Sequence, residues 1–107
     1  MDKETNLSLI VQQLQLAASN QARLLVFPEC VLTGYCFESL EEALPYAEAI
    51  PGPSTNRLIE ACQKLNIHLV FRMLEKDFKQ CFNAAVLLGP QGLIGKYRKS
   101  HLPFRRC

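Results

Sequence analysis

Two residues of opposite charge stand where an α/β chain can place chemistry. Glu29 follows the apolar run Arg23 to Phe27 (RLLVF) and Pro28. It reads as a carboxylate at the C-terminal end of a strand, where α/β sheets put their sites. An apolar setting there raises a carboxyl pKa toward what a general base needs. A solvated loop glutamate fits the same position. Lys99 lies in the string Lys96-Tyr97-Arg98-Lys99-Ser100-His101-Leu102, directly after another strand candidate. An ammonium at that point can stabilise an oxyanion or hold Glu29 ionised by charge pairing. A solvated basic loop is the plain alternative.

The other candidates carry less. His101 precedes Leu102-Pro103 and fits a structural histidine as well as a base. Asn83 can bond backbone in a site or at a sheet edge, and the sequence does not choose between them. Cys30 adjoins Glu29, but neighbours in an extended chain point to opposite sides, so the pair does not meet readily. The five cysteines, Cys30, Cys36, Cys62, Cys81 and Cys107, are odd in number, irregularly spaced and without a CxxC pair. With no signal-peptide pattern at the N-terminus, they read as free thiols in a reducing, cytoplasmic setting. No ligand pair has zinc spacing, since Cys30 and Cys36 are six apart and His68 and His101 are isolated. No metal or cofactor is expected.

Positioning Glu29 and Lys99 requires a sheet. Leu7, Ile10, Val11, Leu14, Ala17 and Ala18 recur at helical spacing, with Thr5 or Asn6 to open the helix and Asn20 to close it. Arg23 to Phe27 is then a strand buried on both faces, and residues 28–38 form a loop. Ser39 with Glu42 begins a short helix reaching Ala49, disturbed by Pro45. After the break at Pro51-Gly52-Pro53, Ser54 or Thr55 caps a helix bearing Leu58, Ile59, Cys62 and Leu65. Ile67 to Leu74 reads as a strand and Glu75 to Lys79 as a polar turn. Cys81 to Leu88 and Leu93 to Tyr97 are strands joined by Gly89-Pro90-Gln91-Gly92. These elements predict an α/β layered domain with helices on one side of the sheet.

Composition narrows the function classes. The chain has 107 residues, 49% of them apolar and 21% charged, which excludes collagenous, low-complexity and strongly disordered classes. A domain of that size buries only roughly 60–65% of its unfolded surface. No apolar run approaches the length of a membrane span. Residues 1–89 hold 7 basic and 10 acidic side chains, whereas residues 90–107 hold 5 basic and none acidic. That basic end matches no nucleic-acid module, so no nucleic-acid or membrane partner is expected.

Taken together, the strings resemble a known family. Leu24-Leu25-Val26-Phe27-Pro28-Glu29, followed by Leu32-Thr33-Gly34-Tyr35, is similar to the glutamate motif of the nitrilase superfamily, the carbon–nitrogen hydrolases. Lys96 to Leu102 is similar to that family's lysine motif, 70 residues on from the glutamate. Ile50-Pro51-Gly52-Pro53 and Phe82-Asn83-Ala84-Ala85 fall between them in the family's order. The resemblance implies an α/β fold that is a partial α-β-β-α sandwich. It assigns Glu29 as general base and Lys99 as oxyanion stabiliser for amidase- or carbamoylase-like hydrolysis of a non-peptide C–N bond. The substrate would be a small amide, nitrile or carbamoyl compound, and the full-length form a homo-oligomer.

Departures from the family pattern shape the expectation further. The family's first strand has no counterpart before the first helix, and its nucleophilic Cys is absent, because Cys107 stands only eight residues past Lys99. Residues 1–107 therefore read as part of a hydrolase domain, inactive alone. The alternative is a non-catalytic piece that docks on a partner hydrolase subunit. Arg72 replaces the small residue that relatives commonly carry in the second strand.

Overall fold

The computed structural model describes residues 3–27 and 44–101, and for Leu44, Lys99, Ser100 and His101 the backbone only. Helix α1 covers Lys3–Ser19 and leads into the short strand β1, Leu24–Val26. A 3-10 turn at Leu44–Tyr46 precedes helix α2, Pro53–Leu65. Three ten-residue strands follow: β2 (His68–Asp77), β3 (Gln80–Gly89) and β4 (Gly92–His101). They form one sheet in the order β1-β2-β3-β4, with β1 parallel to β2 and the remaining pairs antiparallel.

The helix faces are those the spacing predicts. Leu7, Ile10 and Leu14 of α1 and Leu58, Ala61 and Cys62 of α2 are buried against Leu69, Phe71 and Met73 of β2. Ala84, Val86 and Leu88 of β3 complete the same core. Each fully buried leucine there contributes about 1.5–3 kcal/mol of transfer free energy. Asn20 closes α1, its backbone N–H and side-chain amide both reaching the Leu16 carbonyl.

Four local readings change. The N-cap of α2 is Gly52 rather than Ser54 or Thr55, and Thr55 at the third helical position accepts the Gly52 N–H at 2.7 Å. The carboxylate of Glu48 does part of the capping, accepting the Ser54 N–H at 2.9 Å and the Ser54 hydroxyl. Residues 39–43 lie outside the described residues; 47–49 run alongside β2, where Glu48 makes a parallel bridge to Glu75. Thus the predicted polar turn begins later, because Glu75 to Asp77 continue β2 through pairs with Phe82, Cys81 and Gln80.

β1 also differs from its expected double burial. Leu25 packs on the core, but Leu24 and Val26 are about half exposed, at 53% and 52%. Their side chains alternate to the sheet face opposite the helices, where Leu74, Cys81 and Asn83 are buried while Tyr97 is exposed. Arg72, Ala85 and Tyr97, aligned across three strands, belong to that same face. Arg72 forms no ion pair with a described residue.

Candidate active site

Lys99 is inside a strand, not after one. β4 continues past Tyr97 to His101 because β3 is equally long and offers it partners. The pairing carries one irregularity at this point: Arg98 faces Ala84 and Ser100 faces Asn83, so Lys99 is the extra residue of a β-bulge. Bulges bend a strand, re-aim side chains and are over-represented next to active sites.

The cations around Lys99 are committed elsewhere. Glu75, with its side chain only 3% exposed, accepts from Lys96 Nζ at 2.5 Å and from Arg98 Nε at 2.7 Å. Arg98 Nη2 gives Glu75 a second, longer bond at 3.3 Å and reaches Asp77 at 2.9 Å. Its guanidinium also lies over the Phe82 ring, 4.0 Å from the centroid. Burial alone would push the Glu75 carboxyl up, but the bonds from Arg98 and Lys96 outweigh it and hold the carboxyl below its ordinary value. The same bonds push the Arg98 guanidinium further into its charged form. Two charges of the basic end are therefore neutralised within the sheet.

Sequence reasoning missed Glu75, having placed it in a turn. A signal was present: Leu69, Phe71, Met73 and Glu75 share a period of two, and Lys96 and Arg98 share the same period. Only the pairing of the strands shows that these two series lie on one face.

Glu29 lies outside the described residues, as do Cys30 and the rest of the 28–38 loop. The strand before it is described. β1 runs parallel to β2, and Phe27 donates its N–H to the Val70 carbonyl at 2.8 Å, extending the pairing one residue past Val26. β4 runs in the same direction, since both β2 and β4 are antiparallel to β3. Hence β1 heads for the end of the sheet at which Lys99 stands. Between them lie Leu74 and Asn83, paired across β2 and β3, with Asn83 buried. His101 pairs with Phe82 in the backbone ladder.

Neither described cysteine is poised as a nucleophile. Cys62 is buried in the core, and burial pushes its thiol up to about 11. Burial raises the Cys81 thiol as well, partly opposed by Lys76. Both are free rather than bridged. Among the described residues no group of three or more His, Cys, Asp or Glu is placed to hold a metal ion. No helix among them is long and apolar enough to cross a membrane.

The sequence profile of the carbon–nitrogen hydrolases matches residues 1–106. The chain belongs to that family. This carbon–nitrogen hydrolase chain is 38% identical over 106 residues to a nitrilase of Pyrococcus abyssi, covering 98% of the chain and 40% of that protein. It is 34% identical over 102 residues to the human omega-amidase NIT2, covering 94% of the chain and 36% of that protein. Among solved structures, Nit3 of Saccharomyces cerevisiae, a nitrilase-superfamily member, superposes with a TM-score of 0.77 at 30% identity. That match takes in 94% of this chain and 40% of Nit3. An N-terminal amidase shares the fold with a TM-score of 0.78 over 96% of the chain, 26% of its own length. The hydrolase chain thus spans about two-fifths of the length of the curated relatives it matches. Its four-stranded sheet with helices on one face is part of the superfamily's α/β sandwich.

Proposed function

We propose that residues 1–107 supply the base and the oxyanion-stabilising lysine of a hydrolase that cleaves a non-peptide C–N bond in a small amide, nitrile or carbamoyl compound. The observation that carries this reading is the β4 bulge at Lys99, at the end of the sheet toward which β1 carries the chain before Glu29. The similarity to a nitrilase and to an omega-amidase supports the same bond class.

The division of labour follows from the chemistry. An amide carbon resists attack, so the Glu29 carboxylate takes the proton of a thiol and makes a thiolate. The thiolate adds to the carbon, and the Lys99 ammonium stabilises the oxyanion that forms. Collapse breaks the C–N bond as the protonated Glu29 gives its proton to the leaving nitrogen, so ammonia or an amine departs, a thioester remains and the carboxylate is regenerated. Water, deprotonated by the same carboxylate, then releases the acid and restores the thiol. Cys62 and Cys81 are buried with raised thiol pKa values, so neither fills the nucleophile's place. Cys30 adjoins Glu29 in the chain and Cys107 stands only eight residues past Lys99, which departs from the family's placing of the nucleophile. On this reading the 107 residues alone are inactive, and the working form is a larger, homo-oligomeric assembly in a reducing, cytoplasmic compartment.

A hybrid tests the reading. Residues 1–107 replace the matching part of the Pyrococcus abyssi nitrilase, and ammonia release is followed with that enzyme's own substrates. The hybrid is expected to turn over, and Glu29→Gln or Lys99→Ala to lower kcat by about 10³-fold or more. Undiminished turnover in both folded variants would refute the assignment. The second reading, a non-catalytic piece that docks on a partner hydrolase subunit, is favoured by the open sheet face around Tyr97, which is 69% exposed. It predicts co-purification of the 107-residue chain with an intact hydrolase whose activity it changes.

A further inference from the structure

We infer that Glu75 is a positioning residue for Lys99, acting through Arg98 and Lys96 to keep the extra residue of the β4 bulge at position 99. The inference deepens the reading of Lys99 given above and rests on it for its functional meaning.

A bulge can migrate. Shifting the extra residue by one position transfers the intervening side chain to the other face of the sheet. Glu75 blocks that shift on the N-terminal side. Lys96 and Arg98 are two residues apart and both bond its carboxylate, so both must lie on the face where Glu75 is buried. Moving the bulge to Arg98 or earlier would swing the guanidinium away, leaving a buried carboxylate short of its bidentate partner. Such an uncompensated charge is strongly unfavourable.

Asp77 and the Phe82 ring add to the hold on Arg98. On the C-terminal side, Ser100 is paired with Asn83 and His101 with Phe82. The hold on Arg98 therefore sets the N-terminal limit of the bulge, and the register beyond it places the extra residue at 99. The backbone bridge between Glu48 and Glu75 steadies the acid itself, since Glu48 donates its N–H to Leu74 and accepts that of Lys76. The position of the lysine in β4 is thus set by one buried acid on β2.

The test uses the 107-residue chain with Glu75→Gln, which keeps shape and loses charge, and Glu75→Asp, which keeps charge. Glu48→Gln is the control for loss of another partly buried acid. Two measurements are made by mass spectrometry: competitive acylation of lysine amines, with Lys64 as internal reference, and hydrogen exchange along β4 and α2. Glu75→Gln is expected to change Lys99 acylation relative to Lys64 by about threefold or more. Exchange at residues 98–101 should quicken about tenfold while α2 stays protected. Glu75→Asp should restore both at least halfway, and Glu48→Gln should leave the Lys99 ratio unchanged.

An unchanged Lys99 ratio, or equal acceleration of exchange in α2 and β4, overturns the inference, because Glu75 is then an ordinary structural acid. Failure of the underlying reading looks different. In that case Lys99→Ala leaves the hybrid enzyme fully active, while Lys99 reactivity still depends on Glu75.

Discussion

At the scale of single residues, two carboxylates organise the described part of the chain. Glu75 binds the basic strand, and Glu48 gathers Lys3, Ser54 and the β2 edge around itself. For each, burial pulls the carboxyl upward, and the bonds it accepts, from Lys3 and Ser54 for Glu48, hold it below its ordinary value. The folded state then binds fewer protons than the unfolded one, so these groups stabilise the fold above the ordinary carboxylate range. That contribution is lost as pH falls from about 4.5 through the lowered folded values. Denaturation midpoints measured from pH 7 to pH 3 should fall with pH, and Glu75→Gln should reduce that acid sensitivity. The strings around Glu29 and Lys99 are legible in the sequence as motifs similar to the family's. Glu75 is not, because its partners are more than twenty residues away and only strand pairing brings them within reach.

At the scale of elements, helix periodicity is the most readable feature, since each amphipathic face is written in local spacing. The close of α1 at Asn20 and the burial of Leu58 and Cys62 follow directly, whereas its start at Lys3 lies ahead of the expected caps Thr5 and Asn6. Strand limits are less readable. β2 and β4 each run several residues past their apolar runs because ion pairs across the sheet replace apolar contacts there. The start of α2 depends on close backbone approach, a property invisible in composition. A Cβ added at Gly52 would lie 2.4 Å from the Ala49 carbonyl oxygen, and that neighbour is backbone. Gly52→Ala is therefore expected to cost about 1–3 kcal/mol, read as a lower thermal midpoint with little change in far-UV circular dichroism below it. At the β3–β4 turn, Gly92 supplies a φ of +113 that other residues rarely adopt.

At the scale of the whole molecule, the two faces of the sheet are unequal. One is sealed by α1 and α2, while the other buries Leu74, Cys81 and Asn83 but presents Leu24, Val26 and Tyr97 to solvent. An apolar face of this kind promotes association. Sedimentation of the 107-residue chain at micromolar concentration should show species larger than a monomer, and Tyr97→Glu with Val26→Glu should shift them toward the monomer. A wholly monomeric wild-type chain at that concentration would contradict this expectation. The topology also divides the chain in time. β2, β3 and β4 are successive hairpins that need only short loops to close, whereas β1 must find β2 across a sequence separation of 44, from Leu24 to His68. Loop-closure entropy therefore predicts an order of assembly, the meander first and the strand before Glu29 later, which pulse-labelling hydrogen exchange would read as protection in β3 and β4 ahead of β1. The lysine's platform is complete before the glutamate's strand arrives, so a half-folded chain already carries its cationic end in place while the acid is still being delivered.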